Sequence, residues 1–124
     1  MKIVFCGGGT AGHIMPNIAL ADKLRSHQLY YVGTSGMEKN IVAPLVEKGV
    51  FCGFYTISAA KLQRKLTLKN LILPIYLAQS VRQAKRHLKE ISPDVVLSRG
   101  GDVGLPVVIA AKLVKIPTIV HESD

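Results

Sequence analysis

The sequence predicts a doubly wound α/β domain, a parallel sheet with helices on both faces. Two observations and one general rule carry that prediction. Short apolar runs alternate with longer segments of helical spacing along the 124 residues, and strict alternation makes the sheet parallel. A glycine-rich loop, Gly7-Gly8-Gly9-Thr10-Ala11-Gly12-His13, joins the first apolar run to the first helical segment. Right-handed crossovers then place helices on both sides.

The strands are expected at Lys2–Cys6, Leu29–Val32, Cys52–Ile57, Val95–Ser98 and Thr118–Val120. Each is apolar and too short for a helix. The helices are expected at Pro16–Ser26, Met37–Lys48, Leu68–Glu90 and Leu105–Val114. In the long third helix, Leu71, Ile75, Ala78, Val81, Ala84, Leu88 and Ile91 form one stripe at helical spacing, which reads as core. Residues 1–124 therefore form one Rossmann-like domain, without internal repeat or linker.

Composition narrows the partners. Hydrophobic residues make up 48% of the chain, enough for a core and too many for disorder. The net charge is +8, which favours an anionic partner. The charge is concentrated: Lys61, Arg64, Lys65, Lys69, Arg82, Lys85, Arg86 and Lys89 follow one another with no acidic residue between. Nucleic acid would explain the charge but not the glycine loops, and 6% aromatic content offers no stacking platform. Cys6 and Cys52 lie in apolar runs, without metal-ligand spacing, and read as small hydrophobes of a reduced core. The longest apolar run, Leu71–Ala78, is too short to span a bilayer.

Ligands of such sheets bind at the carboxyl ends of the strands. Three unusual segments are expected there: the Gly7–His13 loop, Arg99-Gly100-Gly101-Asp102, and His121-Glu122-Ser123-Asp124. Gly7-x-Gly9-x-x-Gly12 matches a dinucleotide fingerprint, but Leu29–Thr34 carries no ribose-binding carboxylate. The loop also lacks the Lys-Ser/Thr ending of a P-loop. A phosphate- or sugar-diphosphate-binding loop remains, beside a plain tight turn. His13, at the helix mouth, is either a proton carrier or a packed helix-start residue. His27 and His87 read as helix-surface residues. Glu122 beside His121 puts two ionisable groups at one strand end.

Taken together, these segments resemble the N-terminal domain of the MurG family of peptidoglycan glycosyltransferases. The resemblance rests on Gly7–His13 with Pro16, Val32-Gly33-Thr34 before Gly36-Met37-Glu38, and Ser92-Pro93-Asp94-Val95-Val96. Gly100-Gly101 with Pro106, Ile116-Pro117 and His121-Glu122 complete it, in order from Ile3 to Asp124. It implies the N-terminal half of a GT-B glycosyltransferase, incomplete here and lacking the donor-binding C-terminal domain. The implied reaction moves N-acetylglucosamine from UDP-GlcNAc to the muramoyl 4-hydroxyl of membrane-bound lipid I, giving lipid II. The alternatives are a glycosyltransferase for another pyrophosphoryl-lipid acceptor, or a non-catalytic recruiting half of a split enzyme.

By that resemblance His13 and Glu122 are the catalytic candidates. Thr10, Ala11, Gly12 and Asp124 would meet the donor. Gly9, His13, Gly100, Gly101, Asp102 and His121 would meet the acceptor. No cofactor or metal is implied. Ala11 stands where glycine is usual, Asp102 where an aromatic residue is common, and Ser123-Asp124 for a usual Gln-Asn. The partners implied are UDP-GlcNAc, lipid I, the C-terminal domain and the anionic inner leaflet, with no nucleic acid. The implied location is the cytoplasmic face of the cell membrane, as a peripheral protein. Leu68, Ile72, Leu73 and Tyr76, with Lys65 and Lys69, are the candidate docking patch, an apolar surface ringed by cations.

Overall fold

The elements alternate strictly: β1 (Lys2–Cys6), α1 (Ala11–Lys23), β2 (Gln28–Gly33), α2 (Met37–Glu47), β3 (Gly53–Thr56), α3 (Lys69–Ile91), β4 (Val95–Ser98), α4 (Gly101–Leu113) and β5 (Thr118–Val120). The computed structural model describes residues 1–7, 11–58, 69–99 and 101–121, with 11–13, 69–74, 76 and 101–103 described as backbone. The strands form one parallel sheet in the order β3-β2-β1-β4-β5. This is the doubly wound arrangement, with β1 at its centre.

The strands' two-residue side-chain period builds two cores. Ile3 and Phe5 of β1, Leu29 and Tyr31 of β2, and Val95 and Leu97 of β4 point to one face, where they meet Ala21 of α1 and Val42 of α2. Val4 and Cys6, Val32 and Val96 point to the other, against Ala84, Leu88 and Ile91 of α3 and Val107, Ala110 and Ala111 of α4. On the first face Phe51 meets Phe5 and Tyr31 edge-on, with ring centroids 5.9 and 5.6 Å apart. Such pairs contribute about 0.5–1.5 kcal/mol beyond the area they bury.

The helix ends use standard chemistry. After α2, Gly49 has φ +82°, its N–H bonds to Val46 O and that of Val50 to Leu45 O. This is a Schellman cap. α4 ends the same way on Lys115, at φ +61°, with Ile116 N–H on Ala111 O.

Two expectations on helix boundaries and core need correction. α1 and α4 begin five and four residues before the expected Pro16 and Leu105, so that Pro16 and Pro106 lie inside them. Proline favours a first turn, but here each helix starts at its glycine loop and forgoes one intrahelical bond at the proline. In α3, Ile75 is 66% exposed and Ala78 is exposed, so the upper part of the expected core stripe is not core. The reason is length. α3 has 23 residues, about 34 Å, against strands of about 13–20 Å. Ser58, just past β3, is bound by Ser80 Oγ and by Gln83 Oε1. The helix therefore crosses the sheet edge near its middle, and its first turns project beyond it.

Two smaller readings also change. Cys52 is exposed and only Cys6 is buried. His87 faces inward in part: its Nε2 lies 2.7 Å from Thr56 O and its ring centroid 5.1 Å from that of Tyr55.

α4 crosses β4 closely at Gly104. A Cβ there would lie 2.7 Å from Ser98 Oγ, and Ser98 is 2% exposed. Gly104→Ala is expected to lower stability by about 1–3 kcal/mol, overpacking outweighing the better helix propensity of alanine. Urea denaturation measures this. Adding Ser98→Ala should recover most of the loss, since it removes the atom in the way.

Candidate functional site

Parallel strands bring all their carboxyl ends to one edge. The strand order reverses between β1 and β4, and a crevice opens there. β1 runs into Gly7, whose φ of +149° suits only glycine. α1 then begins at Ala11 on one face, with Gly12 and His13 in its first turn. β4 runs into Arg99, and α4 begins with Gly101 and Asp102 on the other face. His121 follows β5 immediately, its N–H on Ser98 O at 2.8 Å. The segments expected to converge thus lie on neighbouring strands. Gly9, Thr10, Gly100, Glu122 and Asp124 lie outside the described residues, as do Lys65 and Leu68 of the docking patch. Lys69, Ile72, Leu73 and Tyr76 lie in the projecting first turns of α3.

A chain of hydrogen bonds crosses this edge. Tyr31 Oη donates to Gly7 O at 2.6 Å. Asn17 Nδ2 donates to Cys6 O at 3.2 Å and to Tyr31 Oη at 3.3 Å. Asn17 Oδ1 accepts from Arg99 Nε at 3.4 Å, and Arg99 Nη1 lies 2.7 Å from His121 Nδ1. Asn17 and Tyr31 are fully buried, so these bonds replace lost hydration. Burial pushes the Tyr31 phenol above its ordinary range, with the bond to Asn17 working against it. Burial likewise pushes the Cys6 thiol up to about 12, offset in part by a hydrogen bond with Ser98.

Sequence reasoning missed Asn17 and Tyr31 as members of the site and named Arg99 only as the start of its glycine segment. No motif marks Asn17 or Tyr31, and Asn17 and Arg99 are 82 residues apart. The one available signal was an asparagine within an otherwise apolar helix start.

A second buried polar group sits at the end of β2. Glu38, 1% exposed, accepts from Thr34 N at 3.0 Å and Thr34 Oγ1 at 2.8 Å. It lies in the first turn of α2, where a carboxylate suits the helix dipole. The group closes the β2–α2 turn and explains locally why Thr34 and Glu38 occur together.

A doubly wound parallel sheet whose β1 and β4 run into helices on opposite faces defines a class, the Rossmann-like domains. Residues 3–124 match the glycosyltransferase family 28 N-terminal domain, and the chain belongs to that family. A relative from Lachnospira eligens is 47% identical over 99% of this chain. One from Lachnoclostridium phytofermentans is 44% identical over 99%. Both are named UDP-N-acetylglucosamine--N-acetylmuramyl-(pentapeptide) pyrophosphoryl-undecaprenol N-acetylglucosamine transferase. The chain spans about a third of their length, 34%. The crystal structure of MurG from Acinetobacter baumannii is similar with a TM-score of 0.74 and 29% identity, over 98% of this chain and 33% of that one. A UDP-GlcNAc 2-epimerase from Neisseria meningitidis shares the fold at a TM-score of 0.60 and 15% identity, over 97% and 32% of the two chains. The architecture is thus that of one half of a GT-B enzyme.

The two buried acids at this edge give stability a pH dependence. In the unfolded chain the Cys6 thiol ionises near 9.0, whereas burial in the fold keeps its proton to about 12. Within that window the unfolded state holds fewer protons, so stability falls as pH rises, by about 1.4 kcal/mol per pH unit for each such proton. Tyr31 adds to the slope above its own unfolded range. Urea midpoints measured from pH 8 to 11 should fall steadily, and Cys6→Ala should flatten the slope by about one proton.

Proposed function

We propose that this chain is the acceptor-binding N-terminal domain of an inverting glycosyltransferase that moves N-acetylglucosamine from UDP-GlcNAc to the muramoyl 4-hydroxyl of lipid I. The observation that carries this reading is the match to the named transferases at 47% identity across nearly the whole chain, with two glycine-started helices at one crevice beside it. The remaining two thirds of such an enzyme would hold most of the donor. The edge strand β5 supports that reading, since Ile119 and Val120 are 56% and 51% exposed and present an apolar edge to a further element.

In this reading the glycine loops and the first turns of α1 and α4 offer backbone N–H groups to the acceptor's pyrophosphate. The muramoyl 4-oxygen attacks the anomeric carbon of the donor sugar, and the bond from that carbon to the UDP phosphate oxygen breaks. A base takes the hydroxyl proton as the new bond forms. His13, in the first turn of α1, and Glu122, after β5, are the candidates for that role. By this proposal Thr10, Ala11, Gly12 and Asp124 would meet the donor, and Gly9, Gly100, Gly101, Asp102 and His121 the acceptor.

The acceptor is a lipid, so the domain works at a membrane surface. No helix among the described residues is long and apolar enough to cross one. The docking patch proposed instead is Leu68, Ile72, Leu73 and Tyr76, chosen for their apolar sequence; Ile75, between Leu73 and Tyr76 in the chain, is 66% exposed. Lys65 and Lys69 add about 1 kcal/mol each near an anionic bilayer.

The test is a chimera in which this chain replaces the corresponding first third of the Lachnospira eligens relative. It should transfer labelled N-acetylglucosamine from UDP-GlcNAc to a short-chain lipid I analogue. A folded chimera that leaves lipid I unmodified would overturn the reading. In the active chimera, His13→Ala should lower kcat by about 10²–10⁴-fold with little change in stability. Leu73→Glu should abolish sedimentation of this chain with phosphatidylglycerol vesicles while its circular dichroism stays unchanged; retained binding would remove α3 as the docking element.

A further inference from the structure

The bonds at the carboxyl edge have a direction, and following it fixes the state of a side chain at the crevice. The main-chain carbonyls of Cys6 and Gly7 can only accept. Gly7 O takes the Tyr31 proton at 2.6 Å, so Tyr31 Oη is an acceptor toward Asn17. Asn17 then spends both hydrogens of its amide nitrogen, on Cys6 O and Tyr31 Oη. That sets which way the amide faces, and its oxygen must point at Arg99. The Arg99 guanidinium has donors only. With Nε bound to Asn17, its planar fork presents Nη1 to His121 Nδ1 at 2.7 Å. Nδ1 is therefore the acceptor, and the neutral ring carries its proton on Nε2.

We propose that Arg99 and Asn17 are positioning residues that hold the exposed His121 ring as an Nε2–H donor at the crevice for an anionic oxygen of the ligand. On the proposed function, on which the ligand's identity rests, that oxygen belongs to the acceptor's pyrophosphate. The assignment is specific to this pair. An imidazole free to exchange tautomers would offer a lone pair as readily as an N–H, and a lone pair repels phosphate oxygen. The buried amide transmits the fixed polarity of β1's last carbonyls to a side chain two strands away. The guanidinium also keeps a permanent positive charge beside His121.

The closing experiment reads the tautomer directly. In this chain, long-range ¹H–¹⁵N spectra at about pH 8.5, some two units above the ordinary histidine range, should show His121 with a pyridine-type Nδ1 and a pyrrole-type Nε2. Arg99→Met should turn that single pattern into averaged shifts. Arg99→Lys should do the same, since it keeps the charge but not the fork; its amide spectrum confirms folding should the methionine variant be unstable. A wild-type Nδ1–H pattern, averaged wild-type shifts, or an unchanged pattern in both variants would each overturn the proposal. In the active chimera, Arg99→Met should raise KM for the lipid acceptor about tenfold or more, with a smaller change in kcat. An unchanged KM would overturn the ring's role toward the acceptor. Loss of transfer by the unmodified chimera would overturn the proposed function while leaving the tautomer result standing.

Discussion

β1 has no wet side. Val4, Phe5 and Cys6 are fully buried and Ile3 nearly so, because neighbouring strands flank β1 and helices cover both faces. That constraint organises the domain. Neither face of the central strand can carry polar chemistry, since an unpaired polar group there costs about 1–3 kcal/mol. Polar function is displaced to the end of the strand, where the last carbonyls must still be satisfied. Asn17 and Tyr31 satisfy them, and in doing so they begin the relay that reaches Arg99 and His121.

The same logic accounts for α3. A helix that only needed to cover β1 and β4 would end at the sheet edge, where Ser80 and Gln83 bind Ser58. The lower half obeys that requirement, with Ala84, Leu88 and Ile91 in the core. The first turns have no sheet beneath them, and Ile75 there is 66% exposed. On the proposed function, a surface there would let one side of the molecule meet both the lipid and the pyrophosphate of the acceptor.

The fold was largely legible because its signals are local. Strands β1, β4 and β5 could be read residue for residue from continuous apolar runs bounded by glycine, proline or charge. Helix starts were less so, since Pro16 and Pro106 imitate first-turn residues while sitting deeper in α1 and α4. Helical period alone said that Ile75 shared a face with Leu88; it could not say that the sheet stops between them. At the site, the glycine loops were legible because their composition is itself the signal. The relay was not, because its members are ordinary residues whose meaning comes from pairing across 14 and 82 positions.

The state of His121 also bears on the chemistry around it. A histidine whose Nδ1 accepts from a guanidinium and whose Nε2 carries the proton has no lone pair to offer a hydroxyl. It can orient or neutralise an anion, but it cannot begin a proton transfer as base. On the proposed function, the acceptor's hydroxyl proton would then go to a different group, for which His13, in the first turn of α1, and Glu122, next to His121 in sequence, are the candidates. On that function, an edge divided in this way, with one imidazole fixed as donor and the base supplied elsewhere, would keep the groups that bind phosphate from competing with the group that accepts a proton.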